Sequence, residues 1–251
     1  MTVAEQYFYM DVPFLYRVHG QPDSDRMKEL AVFLQNFGIS LKGFMNIHPK
    51  AIQKVLADAA DTDEFNIINR VTLRSLKKAV YSTESEGHFG LAAERYCHFT
   101  SPIRRYPDLC DHRIIKHIIA KGMDEKYLSR LEKILPEIAN NSSKCERNAI
   151  EAERMVENKK MAEYMSVRIG EKYEGIVSGV TKFGIFVELE NTVEGMIPLS
   201  SLKDDYYIFN EKMYRVEGER THKKISLGDR IKITVTYADI RMGKIEFGLD
   251  E

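Results

Sequence analysis

The chain has 251 residues, of which 30% are charged and 43% are hydrophobic, a composition typical of a folded globular protein. Its formal net charge of −1 provides no overall positive field for nucleic acid, so a charged partner must be bound by a local patch. Neither a membrane-spanning segment nor a secretory signal is expected. Three cysteines without a CxxC pair argue against a disulfide framework or a thiolate zinc site, and a reducing cytoplasm is the expected location.

Three short helices are predicted in the first 80 residues. The first begins at Pro22-Asp23-Ser24 and ends at Gly38, the second runs from Pro49 to Ala60, and the third is capped by Asp61 and Glu64. Their apolar residues recur at the helical period, as in Met27, Leu30, Leu34 and Phe37 of the first helix and Phe65, Ile68, Thr72, Leu76 and Val80 of the third.

Between Tyr81 and Pro107 the helical period is lost, and the composition is typical of a loop that carries a site. Residues 70–121 contain ten Lys/Arg against five Asp/Glu, so the basic excess of the chain lies here. Arg104 and Arg105 can hold a phosphate through bidentate hydrogen bonds, and Thr100 and Ser101 add donors nearby. An arginine pair alone is more often a surface salt-bridge partner, so this spacing leaves both interpretations open.

Three helices are predicted after this loop. The first is capped by Asp108 and ends near Ala120, with an inward face of Leu109, Ile114, Ile115, Ile118 and Ile119. The second runs from Asp124 to Ala139. The third runs from Ser143 to Arg168, begins with a capping box of Ser143 and Glu146, and has an apolar underside of Met155, Met161 and Met165.

At Gly170 the apolar pattern changes from the helical period to alternation. Five short strands are predicted, at Tyr173–Val177, Phe183–Leu189, Glu194–Pro198, Ile231–Tyr237 and Ile245–Leu249. Such a set is typical of a small Greek-key barrel of the oligonucleotide-binding type. We therefore expect an α+β protein with a mostly helical domain at 1–169 and a five-stranded OB-fold barrel at 170–251.

The predicted barrel carries aromatic and basic residues suited to single-stranded nucleic acid. Phe183 and Phe186 flank Gly184 at a spacing that can place both rings outside, where Lys182, Lys244, Tyr206 and Tyr207 would complete the surface. Spacing alone is equally compatible with phenylalanines that fill the interior. The barrel sequence resembles the S1 RNA-binding domain through Gly175-x-Val177-x-x-Val180-x-x-Phe183-Gly184-x-Phe186-Val187, Val193-Glu-Gly-Met-Ile, Leu227-Gly-Asp-Arg-Ile-Lys-Ile and Lys244-Ile-Glu-Phe. Pro198 departs from it, because many members have a histidine there.

The rest of the chain resembles the ribonuclease II (RNB) family, most closely its ribonuclease R branch. The resemblance rests on Thr2-Val-Ala-Glu, Val12-Pro-Phe-Leu-Tyr-Arg-Val-His, His88-Phe-Gly-Leu-Ala, Thr100-Ser-Pro-Ile-Arg-Arg-Tyr-Pro-Asp-Leu and His112-Arg113. It implies a processive 3′→5′ exoribonuclease that uses Mg²⁺ and releases nucleoside 5′-monophosphates. Arg104 would be the catalytic arginine on the scissile phosphate, while Thr100, Ser101, Arg105, Tyr106 and Glu153 would contact RNA.

One feature of the family is missing from this sequence. The family binds its metals through an aspartate cluster upstream of the matched part. The most similar group of carboxylates in this sequence is Asp58, Asp61, Asp63 and Glu64. These carboxylates fall at the ends of predicted helices. Electrostatics alone favours a carboxylate at a helix N-terminus. We therefore expect the C-terminal part of the enzyme, inactive alone, with single-stranded RNA and the missing N-terminal half as partners. The alternative is a non-catalytic RNA-binding or adaptor protein.

Overall fold

The computed structural model describes residues 1–43, 47–62, 65–211 and 213–250. Within these ranges the helices are α1 (Thr2–Tyr9), α2 (Ser24–Gln35), α3 (Pro49–Ala59), α4 (Phe65–Ser75), α5 (Tyr106–Lys121) and α6 (Glu125–Ser166). The strands are β1 (Tyr16–Val18), β2 (Val80–Ser82), β3 (Lys172–Val180), β4 (Gly184–Leu189), β5 (Glu194–Pro198), β6 (Tyr207–Asn210), β7 (Arg215–Gly218), β8 (Lys224–Ser226), β9 (Arg230–Asp239) and β10 (Lys244–Leu249). The protein is α+β, as the sequence predicted.

The chain divides into two compact units. The first contains Met1–Lys28, Leu41–Ala57 and Thr72–Ile150, and the second contains Glu29–Ser40, Asp58–Val71 and Glu151–Glu251. In the described part of the chain, no helix combines the length and the apolar character that crossing a membrane requires.

The core of the first unit joins α1, α5 and the first half of α6 around the antiparallel pair β1–β2. Its fully buried side chains include Phe14, Ile114 and Leu135. The predicted α5 is present, but it begins at Tyr106, two residues before the expected cap. Ile119, which was predicted to face inward, is 77% exposed and lies on the solvent side near the end of this helix.

The early helices largely follow the predicted capping signals. The Asp23 carboxylate accepts the backbone N–H of Asp25 at the start of α2, and Gly38 has the left-handed φ of +72° that ends this segment. The predicted third helix is shorter than expected, because α4 ends at Ser75 and Val80 begins a strand. Glu64 of its expected cap lies outside the described residues.

The two helices predicted from Asp124 to Arg168 form one helix, α6. Ser143 is buried inside it and does not cap a helix: its hydroxyl donates to the Ala139 carbonyl at 3.0 Å and accepts the Tyr81 N–H at 2.9 Å. Glu146 forms an ion pair with Arg17 at 2.7 Å. The apparent capping box therefore serves contacts with residues distant in sequence. The predicted methionine underside is correct at Met165, which is fully buried, and wrong at exposed Met155.

The second unit contains the predicted barrel, closed in the order β10-β5-β4-β3-β9. Neighbouring strands are antiparallel except β10 and β5, which are parallel. All five predicted barrel strands are present. Alternate side chains fill the interior, where Val187, Ile197, Ile233 and Phe247 are almost completely buried.

A three-stranded sheet of β6, β7 and β8 lies between β5 and β9 in the sequence and was not predicted. Its loops are held by Asp205, whose carboxylate accepts the N–H groups of Arg220 and Thr221 and the Thr221 hydroxyl. These hydrogen bonds hold the pKa of Asp205 well below its usual value.

Candidate functional site

The loop before α5 is fixed by one buried carboxylate. Asp108 has no exposed surface, and its Oδ2 accepts the Ser101 N–H at 2.8 Å and the Arg105 Nη2 at 2.7 Å. The Ser101 carbonyl in turn accepts the N–H groups of Arg104 and Arg105. The loop is therefore a tight turn anchored on the first turn of α5.

The two adjacent arginines occupy different environments in this turn. Arg105 is mostly buried against Asp108 and anchors the loop. Arg104 is exposed, and its guanidinium has no hydrogen-bond or ion-pair partner among the described residues. Ile103, Tyr106 and Thr100 are exposed beside it, whereas Ser101 is half-buried. The turn thus presents one unpaired guanidinium to solvent, the group best suited to a phosphate.

Behind this loop lies a set of packed rings in the first unit. The Tyr81 hydroxyl and His98 Nδ1 are 2.9 Å apart, and the Arg17 guanidinium lies 4.6 Å from the centre of the Tyr81 ring. Burial, followed by the positive charges of Arg105 and Arg17, lowers the pKa of His98 to about 4. His98 is therefore neutral at pH 7 and supports the loop by packing and hydrogen bonding.

The carboxylates of the described residues do not assemble into a metal site. In the ranges 1–43, 47–62, 65–211 and 213–250, no group of three or more His, Cys, Asp or Glu side chains could hold an ion. Asp58 and Asp61 are exposed, and Asp63 and Glu64 lie outside the described residues. Asp111 is buried, where its Oδ1 accepts the Leu15 N–H. These donors do not fit a Mg²⁺ site.

Glu153, the other residue expected near RNA, lies on α6 in the second unit. Its side chain is exposed and has no hydrogen-bond or ion-pair partner among the described residues. It is therefore free to bind a ligand.

The barrel carries both predicted phenylalanines outside its core. Ile185 and Val187 of β4 are completely buried, so Phe186 between them faces outward and is half-buried. Phe183, just before β4, is 70% exposed, and the Lys182 ammonium lies 4.9 Å from its ring centre. The alternative that these rings fill the barrel interior is wrong.

The remaining barrel residues divide between the surface and the core. Tyr206 and Lys244 are exposed, and Lys244 forms an ion pair with Glu246 at 3.3 Å. Tyr207 is buried, and its hydroxyl donates to Asp204 at 2.9 Å, so it does not belong to the predicted aromatic surface. Pro198 is paired with Gly184 in the ladder.

Sequence reasoning missed Met196, which lies beside Phe186. The two residues are register partners on β5 and β4, and Met196 also faces away from the interior. The alternation along β5 indicates the outward position of Met196, because buried Gly195 and Ile197 flank this residue. Its polarizable thioether extends the apolar surface next to the phenylalanine.

Comparisons with known proteins match both parts of this arrangement. The RNB domain model matches residues 1–121, and the S1 RNA binding domain model matches residues 166–249. Ribonuclease R 1 of Lactococcus lactis is 44% identical over 98% of this chain and 30% of its own length. Ribonuclease R of Aquifex aeolicus is 42% identical over 100% of this chain and 35% of its own length.

A solved structure of Mycoplasma genitalium RNase R in complex with ribose methylated single-stranded RNA superposes with a TM-score of 0.93. It is 27% identical and covers 99% of this chain and 39% of its own. The chain therefore combines a region that matches the RNB domain model with a region that matches the S1 RNA binding domain model. The curated relatives with this similarity are named ribonuclease R, and the chain spans about a third of their length.

Proposed function

We propose that the chain is the C-terminal part of a ribonuclease R-like exoribonuclease that hydrolyses RNA to nucleoside 5′-monophosphates. Its loop contributes Arg104 to the scissile phosphate, and its barrel binds single-stranded RNA. The observation that carries this proposal is the contrast between Arg104, exposed and unpaired, and Arg105, held by buried Asp108. The Mg²⁺ ligands belong to the missing N-terminal half.

The environment of Arg104 suits transition-state stabilisation. Negative charge grows on the oxygens around phosphorus during phosphodiester hydrolysis, and an unpaired guanidinium can stabilise it through charge-assisted hydrogen bonds. The Asp108 anchor determines where the turn holds this residue, because Asp108 binds both the Ser101 N–H and the Arg105 side chain. Arg104 therefore acts on the reacting phosphate, while Arg105 is a positioning residue.

The outer surface of the barrel suits RNA binding without strong sequence preference. Every base has a face that can stack on the exposed ring of Phe183 or on the outward, half-buried ring of Phe186, and each stacked base contributes about 1–3 kcal/mol. Lys182, whose ammonium lies 4.9 Å from the centre of the Phe183 ring, and Lys244 on β10 supply cations for backbone phosphates. Exposed Tyr206 offers a further ring. Thr100, Ser101 and Tyr106, which lie in the same loop as Arg104, and Glu153 on α6 are proposed as further RNA contacts.

We also propose the limits of the two functional domains. The catalytic part occupies 1–169 and the S1 domain occupies 170–251, which is supported by the change from helix to strand between Ser166 and Lys172. A cytoplasmic location is supported by the free thiols, of which Cys97 and Cys110 are buried.

The alternative is a non-catalytic RNA-binding or adaptor protein with the same scaffold. The observation in its favour is that the described residues hold no cluster of three metal-ligating side chains. The two proposals differ in one outcome. Supplying the upstream half of a ribonuclease R relative restores hydrolysis under the first proposal and restores nothing under the second.

RNA binding by the complete chain is the first test of the proposed function. Fluorescence anisotropy would be recorded with labelled oligo(A) and oligo(U) of about 16 nucleotides, the upper end of the site size of one OB fold. We expect binding to both, weakened at least severalfold by Phe183→Ala. The matched control is Phe8→Ala, which removes an exposed phenylalanine on α1. Absence of binding, or equal losses in the two variants, would overturn the proposed RNA surface.

A further inference from the structure

The outer surface of the barrel carries another aromatic ring, contributed by Tyr237 on β9. Val235 is buried, so strict alternation along the strand would place Tyr237 inside the barrel as well. The pairing with β10 shifts here: Phe247 pairs with Val235, but Glu246 pairs with Tyr237. Thr236 is the extra residue of this β-bulge. Because bulges redirect side chains, Tyr237 is turned outward and is 47% exposed.

Tyr237 stands at the end of a continuous row of outward side chains. Glu246 is in register with Met196 on β5, and Met196 is in register with Phe186 on β4. Register partners on neighbouring strands project to the same side of a sheet. The row from Phe186 to Tyr237 crosses three strand spacings of about 4.8 Å, so it measures roughly 14 Å along the barrel surface.

The turn that follows Tyr237 is ordered by Asp239. Its carboxylate accepts the Tyr237 hydroxyl at 3.3 Å, the Arg241 N–H at 2.8 Å and the Met242 N–H at 3.0 Å. Arg241 is exposed, and its guanidinium has no partner within the described ranges. Lys244 begins the next strand. The oriented Tyr237 ring is therefore followed by an ordered turn that carries one exposed, unpaired guanidinium, that of Arg241.

We infer that Tyr237 is a second stacking platform for single-stranded RNA, at the opposite end of the row from Phe186, with Arg241 binding a backbone phosphate beside it. This inference rests on the proposed RNA binding by the barrel. Tyr237 forms a subsite separate from the phenylalanines. An RNA that occupies only the phenylalanine end does not reach Tyr237, whereas a longer strand contacts both ends of the row.

The test uses the complete chain and oligo(A) of two lengths, about 4 and about 16 nucleotides, which bracket the site sizes of OB folds. Tyr237→Ala should weaken binding of the longer RNA roughly 5- to 100-fold, since one stacked base contributes about 1–3 kcal/mol. Binding of the shorter RNA should be weakened much less, because about four nucleotides can fill the phenylalanine end without reaching Tyr237. Tyr237→Phe should keep the affinity, because the ring remains.

The matched control is Tyr164→Ala, which removes a tyrosine of similar exposure, 45%, from α6. Loss with Phe183→Ala but none with Tyr237→Ala would overturn the second platform and leave the proposed function intact. No RNA binding by the unaltered chain would overturn both. Equal losses in Tyr237→Ala and Tyr164→Ala would also overturn the second platform.

Ultraviolet cross-linking of the unaltered chain to the longer RNA, read by mass spectrometry, provides a measurement that needs no variant. We expect an adduct on the peptide containing Tyr237. Adducts on the Phe183 peptide without any on the Tyr237 peptide would overturn the inference even if Tyr237→Ala failed to fold.

Discussion

The loop at Arg104 and the outer surface of the barrel both present groups suited to RNA, but they are built in opposite ways. The loop is held by one buried charge, Asp108, and offers one unpaired guanidinium. The barrel surface is held by ladder register, and its rings are distributed over several strands. A single anchored charge suits one reacting phosphate, whereas a distributed set of rings suits a strand of variable sequence.

This difference predicts where each region is vulnerable. A single substitution at the anchor of the loop should disorder the whole turn, because Ser101 and Arg105 share the same carboxylate oxygen. A single substitution on the barrel surface should remove one platform and leave the others in place.

The largest effect is expected for Arg104→Ala in an enzyme completed with the upstream half of a ribonuclease R relative. Loss of one cation that stabilises transition-state charge should lower kcat by about 10²- to 10³-fold while RNA affinity stays nearly unchanged. Single-turnover kinetics and anisotropy would measure the two quantities. The control is Arg130→Ala, an exposed arginine on α6. A change in affinity alone, or an equal loss in the control, would contradict the assigned role.

The next effect is on stability, where Arg105→Ala should have a larger effect than Arg104→Ala. Arg105→Ala leaves the Asp108 carboxylate buried without its cation, which should lower the free energy of unfolding by about 3 kcal/mol. Arg104→Ala removes an exposed, unpaired group and should change it by no more than about 0.5 kcal/mol. Urea denaturation would compare them. Similar unfolding midpoints for both variants would show that Asp108 does not anchor the loop.

The barrel phenylalanines should separate affinity from stability. Phe183→Ala should weaken RNA binding by about 1–3 kcal/mol per lost stacked base and leave stability unchanged, because its ring is mostly exposed. Phe186→Ala should lower both, since its side chain is partly buried on the barrel. Anisotropy and thermal unfolding would be compared on the same samples. A stability loss for Phe183→Ala equal to that for Phe186→Ala would argue against this placement.

The last effect concerns the dependence of stability on pH. The pKa of His98 is lowered from 6.5 to about 4 in the folded chain, so the unfolded chain binds more protons between these values. The contribution of His98 to stability is therefore present above pH 6.5 and lost as the pH falls towards 4. His98→Phe keeps a ring beside Tyr81. It should reduce the change in the free energy of unfolding, measured with urea, between pH 6.5 and about 4. An unchanged pH dependence of the free energy of unfolding would show that folding does not lower the pKa of His98.

The sequence predicted the barrel strands well because interior and exterior residues alternate along each of them. It failed where contacts distant in sequence override a local pattern. Ser143 and Glu146 look like a capping box, but they bind Tyr81 and Arg17 instead, and α6 runs through them. The sheet of β6, β7 and β8 depends on loop hydrogen bonds to Asp205, which no periodicity reveals.

The candidate site shows the same division. The resemblance to the ribonuclease II family selected Arg104 over Arg105, and the i,i+3 spacing of Arg105 and Asp108 carried the signal for the anchor. No comparable signal identified Tyr237. A single extra residue in β9 reverses its orientation, and a bulge is invisible in an alternating pattern.

The central claim is that this chain holds the phosphate-binding arginine and the RNA-binding barrel but not the metal chemistry. The most direct test is release of nucleoside 5′-monophosphates from single-stranded RNA with Mg²⁺, by the purified 251-residue chain alone and after addition of the upstream half of a ribonuclease R relative. We expect no release by the chain alone and Mg²⁺-dependent release by the completed enzyme. Robust Mg²⁺-dependent hydrolysis by the chain alone would contradict it and would direct attention to Asp58, Asp61, Asp63 and Glu64.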